Sequence, residues 1–169
     1  DGAAEAADTC RAMGLKIGSS TGYTRELMID VKIKAKEQGY EPDITLCAED
    51  APRGRPAPYL LFEAAKQLDV FPMQNIVKVD DTILGVEAGI NAGCWTIGIT
   101  QTGNLLGLSA DEIRAIATDE LNTRTSEISE QFRNAGAHLV INSVEQIEQE
   151  LRKIDAAMES GYCPNHYEL

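Results

Sequence analysis

Short apolar runs alternate with amphipathic stretches along nearly the whole chain, and no other feature restricts the fold so strongly. Strands are expected at 15–20, 43–47, 76–79, 94–99 and 138–141, where apolar residues cluster over lengths too short for helices. Helices are expected between them. The first covers the pattern Ala3, Ala4, Ala6, Ala7, Cys10 and Met13 and is stopped by Gly14; the second starts from Thr24 as N-cap, with Glu26 in its first turn, and closes at Gly39. Leu61, Ala64, Ala65 and Leu68 mark the face of a third, and further helices are read at 86–92, 110–117, 120–134 and 144–158. Strands that are apolar on both sides need cover on both faces. The expected fold is therefore α/β, a doubly wound, mostly parallel sheet in one domain over 1–169, with 161–169 as a peripheral tail. Trp95, Phe62 and His138 read as packing residues.

The charge balance narrows the partners. Lys and Arg number 15 against 27 Asp and Glu, a formal charge of −12, which works against a nucleic-acid backbone or an anionic membrane surface. An anionic substrate must then be held by a local array of cations, helix N-termini or metal. Cys10, Cys47, Cys94 and Cys163 are scattered singly, without zinc-ligand spacing, and read as reduced, buried thiols. No apolar run approaches the ~18 residues of a membrane span. A cytoplasmic location is expected.

In an open parallel sheet, ligands collect beyond the carboxyl ends of the strands. Three polar groups fall there: Ser20-Thr21-Gly22-Tyr23, Gly54-Arg55-Pro56, and Asp80-Asp81-Thr82. They offer a hydroxyl, a guanidinium and two carboxylates, a set suited to gripping a phosphoryl group beside Mg²⁺. Thr21-Gly22 can present its hydroxyl and backbone N–H groups to phosphate oxygens, or can be a simple capped turn. Arg55 can clamp an anion through its planar fork, or lie solvated in its loop. Asp80 and Asp81 can ligate a hard cation, or one can cap the following helix; Glu87, a turn further on, can orient metal-bound water. Neither His138 nor His166 has a Ser or Cys partner for a triad.

The segments KIGSSTGYTRE, GRPAP and VKVDDT, with EAG and NAGCWT following, resemble motifs two, three and four of the haloacid dehalogenase superfamily. The GSSTGYT and GRPAP wording is similar to the phosphonatase branch, the phosphonoacetaldehyde hydrolases. The resemblance implies a Mg²⁺-dependent hydrolase that cleaves a carbon–phosphorus bond, releasing acetaldehyde and phosphate from a small phosphonate, possible homodimers, and no nucleic acid or membrane partner. In that family an Asp attacks phosphorus while a cap-domain Lys forms a Schiff base with the aldehyde, so that the carbon leaves as an enamine. By motif position, Thr21 and Gly22 would bind the phosphoryl group and Tyr23 would line the pocket. Arg55 would be the motif-three cation and Asp81 the Mg²⁺ ligand, with Asp80 as a second. Relatives accept Gly at position 80, and some carry a second acid where this chain has Gly85.

No DxxGT-like segment for the nucleophile occurs in the sequence. The first strand and helical cap are therefore expected to be missing, and the chain to be a carboxyl-terminal portion of such a core, inactive by itself. The missing strand would strip its two neighbours of ladder partners, and the fragment would close the gap by direct pairing or aggregate. Two rival readings share part of the pattern: a phosphatase or phosphomutase of the same superfamily, and a receiver-like phosphoacceptor module. The latter expects its acidic pair after the first strand instead of behind a GRPAP loop.

Overall fold

The computed structural model describes residues 2–166. Its elements run α1 (Ala3–Ala12), β1 (Gly18–Ser20), α2 (Arg25–Glu37), β2 (Ile44–Leu46), α3 (Tyr59–Leu68), β3 (Val77–Asp80), α4 (Ile83–Ala92), β4 (Trp95–Ile99), α5 (Ala110–Ala115), α6 (Thr118–Asn134), β5 (Leu139–Ile141) and α7 (Ile147–Glu159). β4 is the centre. Each of its five residues is buried, and it pairs in parallel with β3, Val77 facing Trp95, and with β5, Ile97 facing Leu139. Because strand side chains alternate, Trp95, Ile97 and Ile99 pack on one face against α1 and α7. Gly98 points the other way, under the ring of Phe132 from α6, beside a second cluster of Val86, Leu106, Ile128 and Ala137. Cover on both faces is what a parallel sheet of apolar strands requires, and the α/β architecture expected from the alternation is present.

β1 and β2 form a separate parallel ladder, Gly18 opposite Ile44 and Ser20 opposite Leu46. Among the described residues β1 does not pair with β3, so the parallel strands form two sheets of two and three members.

Three expectations need correction. Phe62 is 42% exposed, because the buried stripe of α3 runs through Leu61 and Ala65 and leaves the ring on the outer side. The tail is not wholly peripheral: Pro164–His166 forms a 3₁₀ turn, Pro164 is buried, and its carbonyl accepts from His138 Nε2 at 2.9 Å. The remainder of that tail, 167–169, lies outside the described residues. Finally, only Cys47 and Cys94 are buried, while Cys10 and Cys163 are half-buried. Burial pushes the Cys94 thiol up to about 12, which makes it inert at neutral pH.

Candidate phosphoryl and metal site

β1 delivers the first part of the site. Thr21 extends its ladder, its N–H donating to the Leu46 carbonyl at 3.0 Å. The Thr21 hydroxyl then accepts from the Tyr23 N–H at 3.1 Å, and Thr24 caps α2 by accepting from the Leu27 N–H. A hydroxyl that accepts from the backbone keeps its own hydrogen free to donate outward. The Tyr23 side chain stands 57% exposed beside this turn.

β3 delivers the second part. Asp80 is only 7% exposed, yet its carboxylate meets four donors. Lys78 Nζ lies 2.8 Å from Oδ2; Arg55 Nη1 is 3.4 and 3.3 Å from the two oxygens; and the Thr82 N–H and hydroxyl donate to Oδ1 at 2.9 and 2.7 Å. Burial by itself would raise this carboxyl's pKa. The Lys78 ammonium, the Thr82 hydroxyl and Arg55 outweigh it and hold Asp80 below the usual carboxylate range. Thr82 also caps α4, its hydroxyl accepting from the Gly85 N–H at 3.1 Å.

Two cations join these parts. Arg55 Nη2 lies 3.7 Å from where a Cβ on Gly22 would stand, so its fork reaches from Asp80 to the turn after β1. Its loop is moored to α4 by Asn91 Nδ2, which donates to the Pro56 carbonyl at 2.9 Å. Lys78 Nζ donates to Ser20 Oγ at 3.4 Å, making a second crossing between the ladders. Ser20, Gly22, Arg55, Lys78 and Asp80 thus converge at the carboxyl ends of β1 and β3.

Asp81 turns to a different neighbour, the segment after β4. Its Oδ2 accepts from the Asn104 N–H at 2.9 Å. A Cβ on Gly103 would fall 2.6 Å from the Ile99 carbonyl oxygen and 2.9 Å from Asp81 Cβ, so only glycine lets the backbone approach this closely. Among the described residues Asp81 Oδ1 takes no hydrogen bond, and no group of three or more His, Cys, Asp or Glu side chains converges as a metal cage. One open carboxylate oxygen suits Mg²⁺, which completes its shell with water and substrate oxygens. Asp80, read from sequence as a second ligand, has both oxygens engaged by Lys78, Arg55 and Thr82, because Lys78 stands two residues back on the same strand face.

A family model described as haloacid dehalogenase-like hydrolase matches residues 1–93, more than half of the chain. This chain belongs to that family. Within the haloacid dehalogenase-like hydrolases it is 43% identical over 163 residues to a phosphonoacetaldehyde hydrolase-like protein of Syntrophobacter fumaroxidans, covering 96% of this chain and 59% of the relative. It is 41% identical to a phosphonoacetaldehyde hydrolase of Bacillus cytotoxicus, covering 91% of this chain and 58% of that one. A solved phosphonoacetaldehyde hydrolase-like protein from Oleispira antarctica superposes with a TM-score of 0.94 at 38% identity, covering 96% of this chain and 59% of the other. The chain therefore spans about three fifths of the length of the relatives it matches. A putative β-phosphoglucomutase from Thermotoga maritima shares the fold at a TM-score of 0.64 and 19% identity.

Reading the sequence missed two contributors to the site. Lys78 carried a usable signal, its period-2 spacing from Asp80 on one strand. Asn104 carried none, since it acts through a backbone N–H that any residue but proline would supply.

Proposed function

We propose that this chain supplies the phosphoryl-gripping and metal-binding part of an enzyme that hydrolyses the carbon–phosphorus bond of phosphonoacetaldehyde, giving acetaldehyde and phosphate. The observation that carries this reading is the Arg55 fork, anchored on Asp80 and extended to Gly22. A guanidinium so placed can donate to a phosphoryl oxygen resting on the Thr21-Gly22 turn, where the Thr21 hydroxyl and backbone N–H groups also donate. Tyr23 lines the mouth of the pocket. Asp81 would be the residue that holds Mg²⁺, which when bound would supply charge neutralisation for a transferring phosphoryl group. The named relatives support the choice of substrate over other organic phosphates. The proposed setting is the cytoplasm, on a small phosphonate, with homodimers and without nucleic acid or membrane; no helix among the described residues is long and apolar enough to cross a membrane.

Attack on phosphorus and imine formation are assigned to no residue of this chain. The purified polypeptide is accordingly expected to release no acetaldehyde from phosphonoacetaldehyde; turnover above a buffer control would overturn that expectation. Binding is the direct test. Calorimetry should find inorganic phosphate bound by the chain and weakened about tenfold or more in Arg55→Ala, the loss of a charge-assisted hydrogen bond. Titration with Mg²⁺ should give a signal that Asp81→Ala abolishes. Superimposable isotherms for the two proteins would remove the metal assignment.

A further inference from the structure

The space around Gly85 singles out one relation in the site. A Cβ built on Gly85 would lie 1.9 Å from Asp80 Cγ and 2.1 Å from each of its two oxygens, closer than any real carbon approaches. The spot a side chain at 85 would enter is thus the centre of the Asp80 carboxylate. That carboxylate cannot swing aside freely, since Lys78, Arg55 and Thr82 all hold it and it is buried. Gly85 is also in the first turn of α4, where glycine is otherwise a poor residue and an acid a good one.

We propose that Asp80 and Gly85 form one exchangeable unit: the site needs a single carboxylate at this locus to aim Lys78 and Arg55 at a bound phosphoryl group, and it can be delivered from the end of β3 or from α4, but not from both. Asp80 is then a positioning residue. It acts through the two cations that cross to Ser20 and Gly22, its own oxygens being taken up by Lys78, Arg55 and Thr82. The aiming role rests on the phosphoryl reading above, whereas the mutual exclusion of side chains at 80 and 85 rests on geometry alone.

The test is a cycle of variants in the chain as it stands: Gly85→Ala, Asp80→Gly, Asp80→Gly/Gly85→Ala and Asp80→Gly/Gly85→Asp. Gly85→Ala should lower the midpoint of thermal unfolding by about 5 °C or more, as overpacking against a fixed group does. Adding Asp80→Gly to it should raise the midpoint again, so that alanine at 85 is harmful beside Asp80 and neutral or helpful without it. Equal effects of Gly85→Ala in both backgrounds would overturn the exclusion. For the aiming role, Asp80→Gly should weaken inorganic phosphate binding by about fivefold or more through loss of a charge-assisted anchor. Asp80→Gly/Gly85→Asp should recover most of that affinity, and Asp80→Gly/Gly85→Ala should not. Tighter phosphate binding in Asp80→Gly would mean that the carboxylate competes with the anion, and would overturn the role. Absence of phosphate binding by the unaltered chain would sink the phosphoryl reading, while the thermal cycle would still decide whether the two positions exclude one another.

Discussion

Lys78 and Asp80 carry the largest local electrostatic consequence in the site. Their 2.8 Å pair is shielded from water, so truncating one partner strands the other. Lys78→Met is expected to destabilise the chain by about 3 kcal/mol, at the low end for a broken buried pair because Arg55 stays beside Asp80. Urea unfolding measures this, and a change below about 1 kcal/mol would mean that the pair is worth no more than a surface one. Thr21, Arg55 and Asp81 became candidates in the sequence because hydroxyl, guanidinium and carboxylate gather there at the expected carboxyl ends of strands. The division of labour between Asp80 and Asp81 could not. Adjacent residues at a strand end point to opposite sides; Lys78 shares the side of Asp80 by its two-residue spacing, but the Asn104 N–H that meets Asp81 and the Arg55 fork that meets Asp80 come from 23 and 25 residues away.

Strand β4 and helix α7 were legible because their buried faces are mostly apolar, with Ile147, Leu151 and Ile154 on one stripe of α7, although Thr96 and Glu150 are buried beside them. β1 was less so. Its expected start at Leu15 falls on a residue 40% exposed, and pairing begins only at Gly18, because β2 offers partners from Ile44 onward. His138, read as mere packing, ties three elements together. The Thr96 N–H of β4 donates to its Nδ1 at 3.0 Å, its Nε2–H donates to Pro164 at 2.9 Å, and Trp95 meets its ring edge-on at 5.2 Å. Nδ1 must therefore be unprotonated in the fold, and burial lowers this imidazole's pKa from 6.5 even though the Pro164 carbonyl pulls the other way. A depressed folded pKa means that the unfolded chain takes up the proton first as pH falls. The stabilising contribution is complete above about 6.5 and is lost as pH drops through the folded value. Urea midpoints at about pH 7.5 and about pH 5.5 should differ more in the natural chain than in His138→Gln, after the carboxylate contribution common to both is subtracted. Equal differences would exclude the imidazole as the source.

Over the whole molecule, packing is unevenly shared. The β3–β4–β5 sheet has helices on both faces and a dense apolar interior, whereas β1 and β2 are three residues each and contribute few fully buried side chains. Amide exchange should reflect this, with the β4 amides persisting to the global opening and those of β1 and β2 exchanging earlier. Uniform protection across both ladders would contradict the partition. Because Arg55 and Lys78 are polar ties spanning from one ladder to the other, the pocket sits astride a joint between a stiff body and a softer one. An anion seated between the cations would act as a rivet there, so its arrival should be felt as slowed exchange that runs through β1 into its ladder partner β2.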